Sequence, residues 1–311
     1  MRSLVARGIF AAVILGRCVP AAAQEAAPPP PAPASPAQAP EADETPAARP
    51  WLPPEGNILV TLPTDQTFGR GMLQFLVTHR FRDPVRGSNA HTLYSLDSGA
   101  DFGVGLTYVP LPKLEVALYR SGVQDDYELS AKWAPFSGSD SAFGAALRVG
   151  GDDRRDAIIV DENGSIFPDS RARTSFFAQG ILSLHLLGRR LELSAVPTYS
   201  SRTSAERRAF NVPVHAAFAI FRSLNLQGEY LPPRKGIRGS IAQWSIGVEK
   251  VLYRHRFSLV VTNTMLTTVD ETLSGDYGLA QKRQQRNFEN GYRNNNWHIG
   301  FNLVRQFKVG S

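Results

Sequence analysis

Apolar and polar residues alternate along most of this chain with a period of two. The stretch Asp101–Tyr108 is typical, with Phe102, Val104, Leu106 and Tyr108 on one face and Asp101, Gly103, Gly105 and Thr107 on the other. The same alternation predicts twelve β-strands, near residues 71–81, 100–109, 113–121, 126–135, 141–150, 174–186, 191–200, 210–221, 224–231, 241–251, 256–266 and 295–307. Most match the roughly 9–11 residues of a tilted membrane-crossing strand, whereas strands of soluble sheets average about 5–6. We therefore favour a transmembrane β-barrel over a soluble sandwich.

Two further features of the pattern support this fold. After the first 20 residues, no apolar run approaches the roughly 18 residues of a membrane helix. An open sheet would leave backbone groups unsatisfied in lipid, so the strands must close on themselves. The sequence thus predicts an all-β, antiparallel up-and-down barrel of about 12 strands, with 10–14 possible.

The lengths of the connections alternate as well. Long or medium segments (82–99, 151–173, 201–209, 232–240 and 267–294, with 122–125 a short exception) alternate with tight turns at 110–112, 136–140, 187–190, 222–223 and 252–255. Barrels of the bacterial outer membrane have short periplasmic turns and longer external loops. If both termini are periplasmic, every tight turn lies on the periplasmic side. Aromatic residues fall near both ends of the predicted strands, where the lipid–water boundary favours them. Those near the periplasmic ends are Tyr108, Trp133, Phe221, Tyr253 and Phe307, and those near the outer ends are Phe81, Tyr199, Tyr230 and Trp297.

Two local signals refine the strands and loops. Pro197 and Pro213 fall inside the seventh and eighth strands, where proline cannot donate to the ladder, so we expect them to face each other across a weak or bulged seam. Asn163-Gly164 lies between two short apolar runs and predicts a β-hairpin that projects from the loop 151–173.

The N-terminal region divides the chain into three parts. Residues 1–23 read as a secretory signal, with Arg2 and Arg7 before a short apolar core and Ala21-Ala22-Ala23 at the cleavage site. The only cysteine, Cys18, leaves with it, so no disulfide is expected. Residues 24–56 are rich in proline and alanine and predict a disordered periplasmic linker, and residues 57–311 form the barrel.

Several short motifs resemble one family. They are Thr67–Gly71 with His79-Arg80-Phe81, Gly99–Phe102 through Gly105–Tyr108, Leu114–Ser121, His255-Arg256-Phe257 with Thr262-Asn263, and the ending Gly300–Phe307. Over residues 61–308 they are similar to the membrane-bound β-barrel family known as domain of unknown function 5777. The resemblance implies a barrel in a diderm envelope and no assigned activity.

Strand parity also separates the charges. It places Arg80 and a second, larger set of charged residues inside the barrel, because charges that face lipid each cost a few kcal/mol at the membrane midplane. That set is Asp101, Glu115, Glu128, Lys132, Arg148, Glu192, Glu229, Glu249 and Arg256. We interpret these residues as ion pairs of the wall in preference to a substrate path.

Sequence motifs for chemistry are weak. Gly103-x-Gly105 lacks a third glycine, and Asp161–Ser165 lacks the glutamate of a calcium loop, since Ala172 stands at its twelfth position. The histidines show no ligand spacing, and Ser183-x-His185 is better explained by polar wall residues than by a nucleophile and its base. We therefore expect no enzyme activity, cofactor or metal site. The net charge of +6 is spread between strands, so we expect lipid contact and not nucleic acid binding.

Two functions follow from a barrel of this size. Twelve strands lie between a side-chain-filled barrel of eight and an open channel of sixteen. The first hypothesis is a narrow outer-membrane pore for small polar solutes. The second is a plugged scaffold that binds an envelope partner through its tail or outer loops. In either case, the last long loop carries Lys282, Arg283, Arg286 and Arg293, and we expect it to fold partly into the mouth, toward the acidic wall.

Overall fold

The computed structural model describes residues 56–85, 88–137, 141–156, 158–160, 166–168, 173–203, 207–233, 242–273 and 297–309. Sixteen strands lie in these ranges: β1 Met72–Phe81, β2 Ala100–Leu111, β3 Leu114–Ser121, β4 Asp126–Trp133, β5 Phe143–Arg154, β6 Ile158–Val160, β7 Ile166–Pro168, β8 Thr174–Leu186, β9 Leu191–Ala195, β10 Thr198–Arg202, β11 Arg207–Asn211, β12 Val214–Phe221, β13 Leu224–Leu231, β14 Gln243–Leu252, β15 His255–Thr262 and β16 His298–Lys308. The helical elements are 3₁₀ turns at Ala90–Ser95 and Val123–Asp125 and the α-helix α1, Val269–Leu273. None of these helices is long and apolar enough to cross a membrane.

The main sheet closes into an antiparallel barrel. β1 pairs with β2 on one side and with β16, the last strand, on the other. β9 and β10 are two halves of one barrel strand, and so are β11 and β12, because both halves pair with the same neighbours in order. The wall therefore has twelve strands, as the alternation predicts.

The two interrupted strands meet at the prolines. β9 ends before Val196-Pro197, and β12 begins after Val212-Pro213. The Val196 amide donates to the Pro213 carbonyl at 2.8 Å, so the strands stay together while the regular ladder is broken. The predicted irregularity of the seam at the two prolines is confirmed, and its weakness stays a prediction.

The two faces of the wall have opposite character. The outward face presents half-exposed apolar side chains such as Leu106, Leu118, Leu129, Leu182, Ile246, Val248, Leu259 and Leu303. The inward face is polar and almost fully buried, with residues such as Gln74, Thr78, Ser130, Gln179, Ser194, Gln227, Ser245 and Asn302. This is the reverse of a soluble protein and matches a barrel with lipid outside and a filled polar interior.

Two of the predicted local features agree with the structure, and one strand ends earlier than predicted. β6 and β7 pair as a separate two-stranded sheet on either side of residues 161–165, which confirms the predicted hairpin. Trp133, Phe221 and Phe81 end their strands, as expected for boundary aromatics. The prediction that strand 256–266 runs to Leu266 is wrong, because β15 ends at Thr262 and the chain turns into the barrel, where Met265 and Leu266 are buried.

Candidate functional site: the barrel lumen

The charged residues predicted from parity lie on the buried side of the wall. Six of the set are 8% exposed or less, namely Glu115, Glu128, Lys132, Glu192, Glu229 and Glu249. The side chains of Asp101, Arg148 and Arg256 are 10%, 15% and 12% exposed. All nine therefore belong to the interior surface of the barrel and none to the apolar outer face.

Most of these charges have a nearby partner of opposite sign. Lys132 Nζ lies 3.0 Å from Glu115 Oε2, and Arg256 Nη1 lies 3.4 Å from Glu249 Oε1. Arg148 forms an ion pair with Glu128, and Arg82 pairs with Asp101 at 3.0 Å. Glu192 accepts from the Ser194 hydroxyl at 2.9 Å. Pairing of this kind compensates the charges for the water that they lose inside the barrel.

The lumen also contains a segment that precedes the first strand. Residues 56–68, which we call the luminal hairpin, fold back on themselves through the Ile58–Pro63 bridge and the 3.1 Å bond from the Thr64 amide to the Asn57 carbonyl. Leu59, Val60 and Leu62 at its turn are buried. The hairpin bonds to β1, β3, β4, β8, β13 and β16, on all sides of the barrel, so it lies inside the wall.

Glu229 on β13 binds the turn of the luminal hairpin. Its Oε1 accepts from the amides of Val60 at 2.8 Å and Leu62 at 2.9 Å. The Thr61 amide reaches both carboxylate oxygens, and the Thr61 hydroxyl donates to Oε2 at 2.7 Å. A single wall carboxylate thus satisfies three successive backbone amides, which are strong hydrogen bonds because the acceptor is charged.

Lys132 on β4 makes the complementary contact with the base of the hairpin. Its ammonium donates to the carbonyls of Gln66 at 2.5 Å and Thr64 at 3.1 Å while paired with Glu115. Glu115 in turn accepts from the Phe68 amide at 3.3 Å. Two wall anions, Glu229 and Glu115, therefore bind amides of the hairpin, and the wall cation Lys132 binds its carbonyls.

Three further side chains secure the hairpin. His185 Nε2 lies 3.3 Å from Asp65 Oδ2, Asn302 donates to the Val60 carbonyl at 2.9 Å, and Gln74 donates to Asn57 at 2.9 Å. Burial by itself raises the pKa of Asp65, but the hydrogen bond and the charge of His185, with help from Gln66, bring the pKa below its ordinary value of 3.8. The Asp65 carboxylate therefore favours its charged form in this contact.

A second segment enters the lumen from the other end. Residues 263–273, which we call the inserted loop, follow β15 and end with α1. The Val269 amide donates to Glu128 Oε2 at 3.1 Å, Tyr119 donates to the Thr267 hydroxyl at 2.9 Å, and Gln243 donates to the Thr272 carbonyl at 2.9 Å. Because these partners lie on β3, β4 and β14, the loop crosses the barrel mouth.

The two inserted segments nearly meet inside the barrel. A cavity of about 80 Å³ lies between them, lined by Ile58, Val60 and Leu62 from the luminal hairpin and by Thr267, Val269 and Thr272 from the inserted loop. Such a space holds a few water molecules. In the described part of the chain, the interior is therefore occupied from both ends.

The predicted occluding residues Lys282, Arg283, Arg286 and Arg293 lie outside the described residues. The part of the same loop that enters the mouth carries Asp270 and Glu271. The sequence analysis also missed the luminal hairpin, although the apolar run Ile58–Leu62 between Gly56 and Pro63 was a signal for a buried segment. Asp126, Asp152 and Asp270 were missed because they lie far apart in the sequence, on β4, β5 and α1.

These three aspartates are the one group of ligand-type residues that lie together in the described ranges. An oxygen from each carboxylate lies within 4.8 Å of an oxygen from the others, and all three side chains are buried. Arg154 Nε lies 3.0 Å from Asp270 Oδ2. Burial raises the pKa of Asp270 in the inserted loop. Burial also raises the pKa of Glu271, and the nearby charge of Asp270 raises it further.

Comparison with known proteins gives one family. The model of the Membrane bound beta barrel domain (DUF5777) matches residues 55–307. No curated protein matches the chain.

Among solved structures, the porin NanC is 8% identical with a TM-score of 0.43, over 76% of this chain and 100% of that one. An outer membrane channel from Pseudomonas putida F1 is 10% identical with a TM-score of 0.44, over 78% and 97%. Outer membrane phospholipase A from Escherichia coli is 9% identical with a TM-score of 0.40, over 75% and 89%. Similarities at this level do not indicate what the chain does.

Proposed function

The chain belongs to the family of the Membrane bound beta barrel domain, and on that premise we propose that it is a narrow outer-membrane pore for small polar solutes that is closed at rest. Its lumen is lined by hydrogen-bonding and charged side chains, which suits polar solutes. We place the closure in the luminal hairpin, while the inserted loop narrows the mouth. The proposed activity is passive passage, without catalysis or a cofactor.

The observation that carries this proposal is how the luminal hairpin is held. Its backbone amides and carbonyls bond to side chains of the wall, mainly Glu229 and Lys132, and not to the strands of the sheet. Every wall strand already has two neighbours in the closed barrel. The hairpin can therefore leave without breaking the ladder, which a strand of the wall cannot do.

The orientation is part of the proposal. Bacterial barrels place short turns in the periplasm, and Gly56 lies against Arg256, near the short-turn end of β15. We place the N-terminal tail, residues 24–55, in the periplasm on this basis. Movement of the tail would then act directly on the hairpin that follows it.

The test is the conductance of the refolded barrel in a planar bilayer. The full mature chain should be silent or nearly so, and a variant that lacks residues 24–68 should give stepwise current. A variant that lacks only residues 24–55 keeps the luminal hairpin and serves as the control. Heat-modifiable migration in gels establishes that each variant is folded.

The second candidate is a permanently plugged scaffold that binds an envelope partner through its tail or outer loops. The inserted loop favours it, because that loop remains in the mouth when the luminal hairpin is removed. A folded variant without residues 24–68 that carries no current would support the scaffold and contradict the pore.

A further inference from the structure

The three-aspartate cluster lies at the long-loop end of the barrel, away from the luminal hairpin. Asp126 is the first residue of β4, Asp152 is near the end of β5, and Asp270 is on α1 of the inserted loop. Their side chains are no more than 2% exposed. Within the described ranges, Arg154 forms an ion pair with Asp270 of this cluster, so three carboxylates lie around one guanidinium.

A second observation is independent of the clustering. Asp126 Oδ2 accepts from Thr268 at 2.8 Å and Asp152 Oδ2 accepts from Ser175 at 3.0 Å. The other oxygen of each carboxylate, Oδ1, is completely buried and meets no donor in the described part of the chain. A buried acceptor without a donor is destabilising, more so when it is charged, and requires an ion, a water molecule or a proton.

We propose that Asp126, Asp152 and Asp270 bind a divalent cation, with calcium as the best fit. Calcium takes six to eight oxygen ligands at about 2.3–2.6 Å, so oxygens on opposite sides of the ion lie up to about 5 Å apart. The 4.8 Å limit of this cluster satisfies that distance. The cluster offers oxygen only, which disfavours zinc and other metals that prefer nitrogen or sulfur ligands.

The neighbouring groups suit such a site. The Thr268 hydroxyl lies between two of the ligands, 2.8 Å from Asp126 Oδ2 and 3.2 Å from Asp270 Oδ1, and adds a neutral oxygen. Two ligands come from the wall and one from the inserted loop. The cation would therefore fasten α1 to β4 and β5 and stabilise the inserted loop in the barrel mouth.

The competing occupant is the proton. Three buried carboxylates this close together repel one another when all are charged, so without a cation the cluster can hold protons in place of a metal. A cation would displace them, so its binding releases protons and strengthens as the pH rises. This difference separates the two explanations.

The experiment is calcium titration by calorimetry of the metal-free mature chain in detergent, with melting temperature as a second measurement. We expect wild-type protein to bind calcium with proton release and to melt at a higher temperature with it. Asp152→Asn should weaken binding at least tenfold. Asp153→Asn is the matched control, since Asp153 is the next residue of β5, is 43% exposed and pairs with Arg173.

Each outcome is decisive. Calcium-independent melting and no binding heat in the wild type would overturn the proposal and leave protonated carboxyls. Equal loss of binding in Asp152→Asn and Asp153→Asn would also overturn it, since a diffuse surface effect would explain both. If Asp152→Asn does not fold, Asp126→Asn replaces it, and the wild-type titration alone still decides. The site is independent of the pore, so silent bilayers leave this test unchanged.

Discussion

Val60 and Glu229, 169 residues apart in the sequence, are joined by a 2.8 Å hydrogen bond inside the barrel. The Val60 amide belongs to a segment before the first strand, and the Glu229 carboxylate belongs to the wall. The bond shows that the N-terminal part of the described chain is folded into the lumen. In the pore that we propose, closure depends on how firmly such contacts hold.

The first prediction concerns Glu229. Replacing it with Gln removes the charge that accepts from three amides of the luminal hairpin, and hydrogen bonds to charged groups contribute about 1.5–3 kcal/mol each. We expect Glu229→Gln to raise the open fraction in single-channel recordings at least about tenfold, since about 1.4 kcal/mol suffices for that change. Glu249→Gln is the control, because Glu249 faces the lumen but bonds to Asn225 and Arg256. Equal effects of the two variants would contradict a specific role of Glu229 in holding the luminal hairpin.

The second prediction concerns pH. The pKa of Asp65 in the folded protein lies below its ordinary value of 3.8, so its contact with His185 stabilises the hairpin above that pH. The stabilisation is lost as the pH falls through the lowered pKa. Acid below pH 3.8 should therefore weaken this contact and raise the conductance. Asp65→Asn should remove the contribution of this contact to the acid response, and an unchanged acid response in that variant would assign the transition to another group.

The third prediction concerns orientation. Ala90 lies on the long-loop side and Lys113 lies in a tight turn, and both are exposed. Since Cys18 falls in the predicted signal, single cysteines placed at these positions are the only thiols of the mature chain. An impermeant maleimide should label Ala90→Cys on intact cells and Lys113→Cys only after the envelope is broken. The opposite result would invert the barrel.

The fourth prediction concerns the two faces of β2. Leu106 is 45% exposed on the outer face, and arginine on a lipid-facing position near the midplane costs about 2–4 kcal/mol. Leu106→Arg should therefore reduce membrane insertion. Thr107→Arg should insert, because its side chain enters the polar lumen, but it should also disturb the luminal hairpin, since Thr107 lines the same cavity as Ile58 and Val60. Equal insertion defects in both variants would contradict the assignment of the faces.

The sequence by itself determined the wall. Alternation along twelve segments, tight turns on one side and prolines at 197 and 213 are local features, and each depends only on residues next to one another in the chain. A two-residue slip in register leaves these features unchanged, so they predict the barrel without any knowledge of what fills it. The inward position of residues such as Glu229 follows from parity alone.

Only the tertiary structure decided what fills the lumen. Residues 56–68 follow no periodic pattern in spite of the apolar run Ile58–Leu62, and their position depends on wall side chains as distant as Glu229 and Asn302. The three aspartates likewise come together because β4 and β5 are adjacent and the inserted loop turns inward after Thr262. Such contacts depend on which polar and charged groups can pair with each other in a space that excludes water. These groups come within reach of one another only when the barrel closes.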